Sequence, residues 1–110
     1  MHDQAATVSV DIEVNNACTL RFGDIVEAMQ AIAKAAEDAG GIIGHIKAFA
    51  RQGDEFAHAS VTASDIEPTC EGLSISPLGH AAEIQLVAIV MLVEQEDLLA
   101  ICKDVLANRE

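Results

Sequence analysis

The sequence contains no tryptophan or tyrosine, and its three phenylalanines bring the aromatic content to only 3%. Because aromatic rings bury the largest area per side chain, the core has to be built from Val, Ile, Leu and many Ala. A chain of 110 residues has the size of one domain, so we expect residues 1–110 to form a single domain. Small side chains bury little area each, which favours a homo-oligomer that buries further surface between subunits.

Basic residues are also scarce, since six Lys and Arg stand against 18 Asp and Glu, a formal net charge of −12. Phosphate backbones and anionic lipids repel such a chain, which argues against nucleic-acid and membrane partners. The longest apolar run, residues 84–93, is too short to span a bilayer as a helix, and no signal peptide is recognisable. Cys18, Cys70 and Cys102 are odd in number and widely spaced, as in cytosolic proteins with reduced thiols. We therefore expect a cytoplasmic protein.

The hydrophobic pattern predicts elements in the order β-α-β-β-β-α. Residues 6–14 alternate between apolar and polar side chains, which is the period of a half-buried strand. Apolar residues spaced by three and four predict a helix that begins near Asp24, with capping-box chemistry, and ends at Gly40. A strand near residues 83–91 and a helix from about Gln95 complete the order.

Residues 42–62 predict a β-hairpin whose two-residue turn is Gly53-Asp54, because glycine supplies the positive φ of the first turn position. In this register the numbers of two paired residues add up to 107, so that one face is polar and the other apolar. The polar-face pairs are Phe49–His58, Lys47–Ser60 and His45–Thr62.

These elements predict an α+β fold, a ferredoxin-like two-layer sandwich with a four-stranded, mostly antiparallel sheet and two helices on one face. Strands one and two are joined by a right-handed crossover through the first helix. We expect strand three to lie between them and strand four to flank strand one. A meander of strands two, three and four is the alternative. Residues 64–80 are expected to form an irregular connection, and long connections are often functional.

The strand alternation collects polar side chains on the sheet face that the helices leave open. Lys47 can hold an anionic group of a ligand, and His45 or His58 can act as a general acid or base because imidazole titrates near neutrality. His45, Lys47 and His58 are therefore the candidate catalytic residues. The candidate ligand-binding residues on the same face are Asp11, Phe49, Ser60 and Glu83.

Three functions fit this face. The leading hypothesis is a small oligomeric domain that binds a small molecule on the open face or at a subunit interface, and Ile89 and Met91 add the apolar surface that an interface needs. The alternatives are a small acid–base enzyme that uses His45 or His58 with Lys47, and a structural or assembly protein without a ligand.

A metal site shared by His45 and His58 is disfavoured, because four residues along a strand separate them by roughly 13 Å. We predict no metal site, and the sequence does not identify a cofactor. The 64–80 connection adds Cys70, Glu71 and His80 as candidate side chains, although no catalytic signature flanks them.

Overall fold

A computed structural model describes residues 5–13, 21–72, 78–79 and 82–107. Val14, Cys18 and His80, which figure in the sequence-based predictions, lie outside these ranges. None of the described helices is both long and apolar enough to cross a lipid bilayer. The elements are β1 (Ala5–Ile12), α1 (Phe22–Asp38), β2 (Ile42–Gln52), β3 (Glu55–Val61), β4 (Thr69–Glu71), β5 (Glu83–Met91) and α2 (Gln95–Ala107).

Helix α1 begins two residues before the predicted position. Asp24 is the third residue of the helix, and its Oδ2 accepts a hydrogen bond from the backbone N–H of Arg21 at 3.0 Å. This carboxylate accepts a hydrogen bond from an N–H group at the start of the helix, and its negative charge interacts favourably with the positive end of the helix dipole. At the other end, Gly40 adopts a φ of +94° just after the helix, which confirms the predicted glycine stop.

Both helices pack on one face of the sheet around a single hydrophobic core, so the predicted two-layer α+β sandwich is confirmed. Met29 and Ile32 of α1 are fully buried, as are Leu98 and Cys102 of α2. The sheet meets α1 largely with alanines, whose small side chains allow the helix backbone to approach closely. These buried alanines on β2 and β3 are Ala48, Ala50, Ala57 and Ala59.

The five-stranded sheet has the order β1-β5-β2-β3-β4, with all neighbouring strands antiparallel. The predicted four-stranded, ferredoxin-like order is therefore wrong. The sheet has five strands, β5 lies between β1 and β2 where we expected the third strand, and β3 lies on the other side of β2. Strand β5 buries Ile84, Leu86, Ala88 and Val90 on the helical face and half-buries Val87 and Ile89 on the other. A strand that is apolar on both faces gains most in the centre of a sheet.

The predicted hairpin is confirmed over its whole paired length, from Ile46 opposite Val61 to Gln52 opposite Glu55. Gly53 occupies the turn with a φ of +62°. The predicted pairing of His45 with Thr62 does not form, because β3 ends at Val61. On the other side of β2, His45 pairs with Ile89 of β5.

A β-bulge at Gly44 was not predicted. The register between β2 and β5 shifts between Ile43 and His45, so that Ile43 pairs with Val90 and His45 pairs with Ile89. Regular alternation would put Ile43 on the same face as His45. The extra residue lets Ile43 pack against the core while His45 stays on the open face.

Strand β4 lies inside the connection that the sequence predicts to be irregular. Its three residues pair with β3, with Glu71 opposite His58 and Cys70 opposite Ala59. Pro68 precedes the strand and Gly72 follows it with a φ of +79°. Only three residues lie between Pro68 and Gly72, and an alternation this short does not distinguish a strand from a loop.

Candidate functional site

The open face of the sheet consists of five cross-strand rows of side chains. Because directly opposite residues have Cβ atoms about 5 Å apart, each row is a chain of neighbours that lies across several strands. From β1 towards β4 the rows are Ala5, Met91 and Ile42; Thr7, Ile89 and His45; Ser9, Val87, Lys47, Ser60 and Thr69; Asp11, Gln85, Phe49, His58 and Glu71; and Glu83, Arg51 and Phe56.

An open cavity of about 470 Å³ lies over the third and fourth rows. Lys47, Ser60 and Gln85 contribute an ammonium, a hydroxyl and an amide, and Val87 and Phe49 contribute apolar surface. A few polar groups converging beside apolar walls is the usual composition of a small-molecule site. The full lining is Lys47, Ala48, Phe49, His58, Ala59, Ser60, Gln85 and Val87.

The His58 imidazole is held by a carboxylate from β4. Its Nε2 lies 3.1 Å from Oε2 of Glu71, and the two side chains are 44% and 71% exposed. An ion pair this exposed contributes at most about 1 kcal/mol to stability, so its main effect is on orientation. When Nε2 carries the proton and donates to Glu71, Nδ1 is the basic nitrogen of the ring.

Two of the three phenylalanines lie side by side on this face. The Phe49 and Phe56 rings are stacked with centroids 6.1 Å apart and planes inclined by 18°. They are 47% and 59% exposed, whereas Phe22 is buried in the core. In a chain so poor in aromatics, two rings left in solvent form an apolar patch of the kind that marks interaction surfaces.

A second hollow of about 310 Å³ adjoins the cavity and shares Phe49 and Gln85 with it. Asp11 and Glu83 line this hollow, together with Arg51. The Arg51 Nη2 lies 3.9 Å from Oε1 of Glu83, a separation typical of a weak surface ion pair.

The structure therefore divides the predicted site residues among three places. Lys47, Phe49, His58 and Ser60 come together in the larger cavity. Asp11 and Glu83 lie in the adjoining hollow. His45 lies in the row above Lys47, beside Ile89, and belongs to the lining of neither.

Sequence reasoning missed two contributions to the site. Glu71 was a candidate only as a side chain of the connection, and its contact with His58 depends on β4. Gln85 lines both cavities and was not among the candidate ligand-binding residues, although the alternation of β5 already assigns it to the open face.

Cys70 lies on the other side of the sheet from this site. It pairs with the buried Ala59, whereas its neighbour Glu71 pairs with His58 on the open face. Burial, with a smaller contribution from the charge of Glu67, raises the pKa of the Cys70 thiol above its ordinary value. A thiol with a raised pKa is a poor nucleophile.

Metal-ligating side chains do not cluster in the part of the chain that the structure describes. No three His, Cys, Asp or Glu side chains in these ranges lie close enough together to hold a metal ion. The pair of His58 and Glu71 contributes only two of the ligands that a protein site for Zn²⁺ requires.

Comparison with known proteins shows the fold alone. No protein-family model matches the sequence, and no curated protein is significantly similar to it. Among solved structures, the chain is similar to the Zn(II)-bound YjiA GTPase from E. coli and to a Zn(II)-bound triple mutant of YjiA GTPase, each with a TM-score of 0.55 and 10% sequence identity. The likeness covers 93% of this chain but only 30% of each GTPase chain.

Proposed function

We propose that this chain is a small-molecule-binding domain whose open sheet face takes an anionic ligand with an apolar body. The observation that carries the proposal is the Lys47 ammonium in the same cavity as the exposed Phe49 ring. Lys47 and the neighbouring Ser60 hydroxyl donate to the anionic group, and Phe49 and Val87 pack against the apolar body. The acidic composition and the free thiols of Cys70 and Cys102 support a cytoplasmic location.

The charge of the chain makes the position of Lys47 informative. With a net charge of −12, the average surface repels anions. Lys34, by contrast, is paired with Asp38 at 2.9 Å on the surface of α1. The row that holds Lys47 is filled by hydroxyl and apolar side chains and not by carboxylates. An anion can therefore approach Lys47 without meeting a carboxylate in the same row.

The expected affinity is modest because the cavity is open. A ring lying on the sheet face covers about 100 Å² of apolar surface, which is worth about 2.5 kcal/mol. One charge-assisted hydrogen bond adds about 1.5–3 kcal/mol. Because association also costs translational and rotational freedom, this sum is an upper limit, and the Kd of a minimal ligand is no lower than about 0.1 mM.

A titration with phenylacetate, phenylethanol and phenethylamine, each to about 5 mM, tests the proposal by NMR. Phenylacetate should shift the backbone amides of Lys47, Ser60 and Val87, whereas the uncharged and cationic analogues should not. Lys47→Ala should abolish the shifts. Lys103→Ala is the matched control, since it removes the same charge from an exposed position on α2.

Two results would contradict the proposal. One is equal binding of phenylethanol and phenylacetate, which would show that the ammonium plays no part. The other is unchanged phenylacetate binding by the Lys47→Ala protein, while Lys103→Ala behaves like the wild type.

The contact between His58 and Glu71 supports acid–base catalysis at the same cavity as a second candidate function. A carboxylate that orients an imidazole is a common arrangement around catalytic bases. Hydrolysis of p-nitrophenyl acetate should then fall in His58→Ala and persist in His45→Ala. As a positioning residue, Glu71 should affect the pH profile of the rate when it is changed to Gln. An unchanged rate in His58→Ala would exclude this candidate.

A further inference from the structure

The two edges of the sheet differ in how well they are protected. Natural edge strands avoid pairing with other chains by being short, by carrying Lys or Pro, or by bulging. Strand β4 has three residues and lies between Pro68 and Gly72. Strand β1 has eight residues and contains no Pro, Gly or Lys, and Asp11 is its one charged residue.

Within the described residues, β1 has β5 as its one neighbouring strand. Every second residue of β1 therefore directs its backbone N–H and C=O groups to the outer side, where they form a regular template for another strand. We infer that a second copy of this chain pairs with this edge, β1 against β1 about a two-fold axis, and joins the two five-stranded sheets into one.

The alternation of β1 restricts how two copies can pair. In an antiparallel pair, directly opposite residues share a face, and residues on one face of β1 are an even number of positions apart. The two-fold axis that relates two opposite residues must therefore pass through a residue and not between two residues. An axis at Val8 sets Thr7 opposite Ser9 of the partner subunit, a pair of hydroxyl residues that favours cross-strand contact. It also sets Asp11 opposite Ala5 of the partner subunit.

This register is compatible with such an acidic chain because it keeps the charged side chains of the two β1 strands apart. Each copy carries a net charge of −12, and like charges directly opposite each other destabilise a strand pair. With the axis at Val8, the two Asp11 side chains lie at opposite ends of the joint. An axis at Ser9 keeps them apart as well, because Asp11 then lies opposite Thr7 of the partner subunit.

Helix α2 supplies the apolar surface that strand pairing alone does not provide. A stable interface buries at least about 1,000 Å², which exceeds what two strand edges contribute. Helix α2 packs over β1, so pairing at β1 brings the two copies of α2 to either side of the joint. Four apolar side chains of α2 are only partly buried within one chain, namely Leu99, Ile101, Val105 and Leu106.

This pairing is independent of the proposed ligand site. The cavity lies over β2, β3 and β5, on the far side of β5 from the outer edge of β1. A dimer formed through β1 therefore leaves Lys47 accessible on both copies. Association through the open sheet face, by contrast, would cover Lys47 and bury Ile89.

Charge exchange on β1 tests the inference in solution. Thr7 and Ser9 are exposed, so the double variants Thr7→Asp/Ser9→Asp and Thr7→Lys/Ser9→Lys are expected to fold, which circular dichroism will check. With the axis at Val8, the charges at positions 7 and 9 lie opposite like charges of the partner subunit in both double variants. Light scattering at about 100 µM should give the wild type twice the 11.6 kDa of one chain, each double variant the single mass, and their equimolar mixture the dimer mass again.

A matched variant distinguishes pairing through the β1 edge from association through the open face of the sheet. Ile89→Asp introduces a charge into the open face and should leave the dimer intact. A wild type that is monomeric at this concentration overturns the inference. Double variants that remain dimeric, or an oligomer that dissociates in Ile89→Asp and not in the β1 variants, overturn it as well. Phenylacetate binding can be measured on each of these proteins whatever its oligomeric state, so a result that contradicts the dimer does not contradict the ligand site.

Discussion

Strand β4 holds Glu71 against His58, and it depends on the close approach of Gly72 to β3. An added Cβ on Gly72 would lie 2.7 Å from the Cα of Ala57 and closer still to the carbonyl oxygen of Phe56. Both obstacles are backbone atoms, so Gly72→Ala can be accommodated only if β4 moves away from β3. Gly53 also has a positive φ, yet an added Cβ there meets nothing within 4 Å.

This comparison separates the conformational cost from the steric cost. Gly53→Ala should lower the free energy of unfolding by about 1–2 kcal/mol, the cost of holding a Cβ in the left-handed region. Gly72→Ala has the same conformational cost and, in addition, the steric cost of the collision with β3. The total cannot exceed the free energy needed to detach β4 from β3, because the strand would then detach. Losing the hydrogen bonds of three ladder positions costs about 1.5–4 kcal/mol. We therefore expect Gly72→Ala to cost about 2–4 kcal/mol.

Urea unfolding measures both losses, and hydrogen exchange locates them. In Gly72→Ala the amides of β4 should exchange much faster than in the wild type, while those of β5 in the sheet centre stay protected. In Gly53→Ala the protection of β4 should not change. The m-value of Gly53→Ala should equal that of the wild type. If β4 is already detached in native Gly72→Ala, less surface is exposed on unfolding and the m-value of that variant should be slightly lower.

Equal losses of stability in the two variants would refute this reasoning, because the steric cost at Gly72 would then be absent. Persistent protection of the β4 amides in Gly72→Ala would refute it too. That result would mean that β3 yields to the added methyl group without releasing β4, and that Glu71 does not depend on Gly72 for its position beside His58.

Two further predictions concern titratable groups away from the site. Burial raises the pKa of the Cys102 thiol to about 11, so iodoacetamide at about pH 8 should alkylate the half-buried Cys70 faster, as peptide mass spectrometry will show; equal rates would contradict the packing of α2. The side chain and backbone N–H of Ser64 both donate to the Glu37 carboxylate, the N–H at 3.2 Å, and they hold the pKa of Glu37 below its ordinary value of 4.5. This stabilisation is complete above pH 4.5 and is lost as the pH falls through the lower folded value. Glu37→Gln should therefore reduce the loss of stability on acidification, measured as the urea midpoint at successive pH values, and an unchanged acid sensitivity would count against the contact.

The short-range parts of the fold could be predicted from the sequence because they follow from local alternation and turn chemistry. The hairpin register was predicted pair by pair, since Gly53 fixes the turn and a slip of one residue would exchange its polar and apolar faces. The same alternation assigned Lys47, Phe49 and Ser60 to one face, and the structure brings them together in one cavity.

The misplaced and missed features depend on contacts between distant segments. The bulge at Gly44 exists because β2 meets β5, and nothing in the local alternation of β2 reveals it. The position of β5 between β1 and β2 reflects competition among strands for the interior positions of the sheet, which is decided by burial on both faces. Strand β4 is too short to show a period of its own.

For this protein, sequence periodicity by itself determined which side chains share a face everywhere in the predicted strands except at the Gly44 bulge, because residues adjacent along a regular strand point to opposite sides. The tertiary structure alone decided which histidine lines the same cavity as Lys47. His58 reaches the cavity because β3 pairs with β2, and it meets Glu71 because β4 pairs with β3. His45 lies outside the cavity, opposite Ile89, because burial of its apolar residues places β5 between β1 and β2.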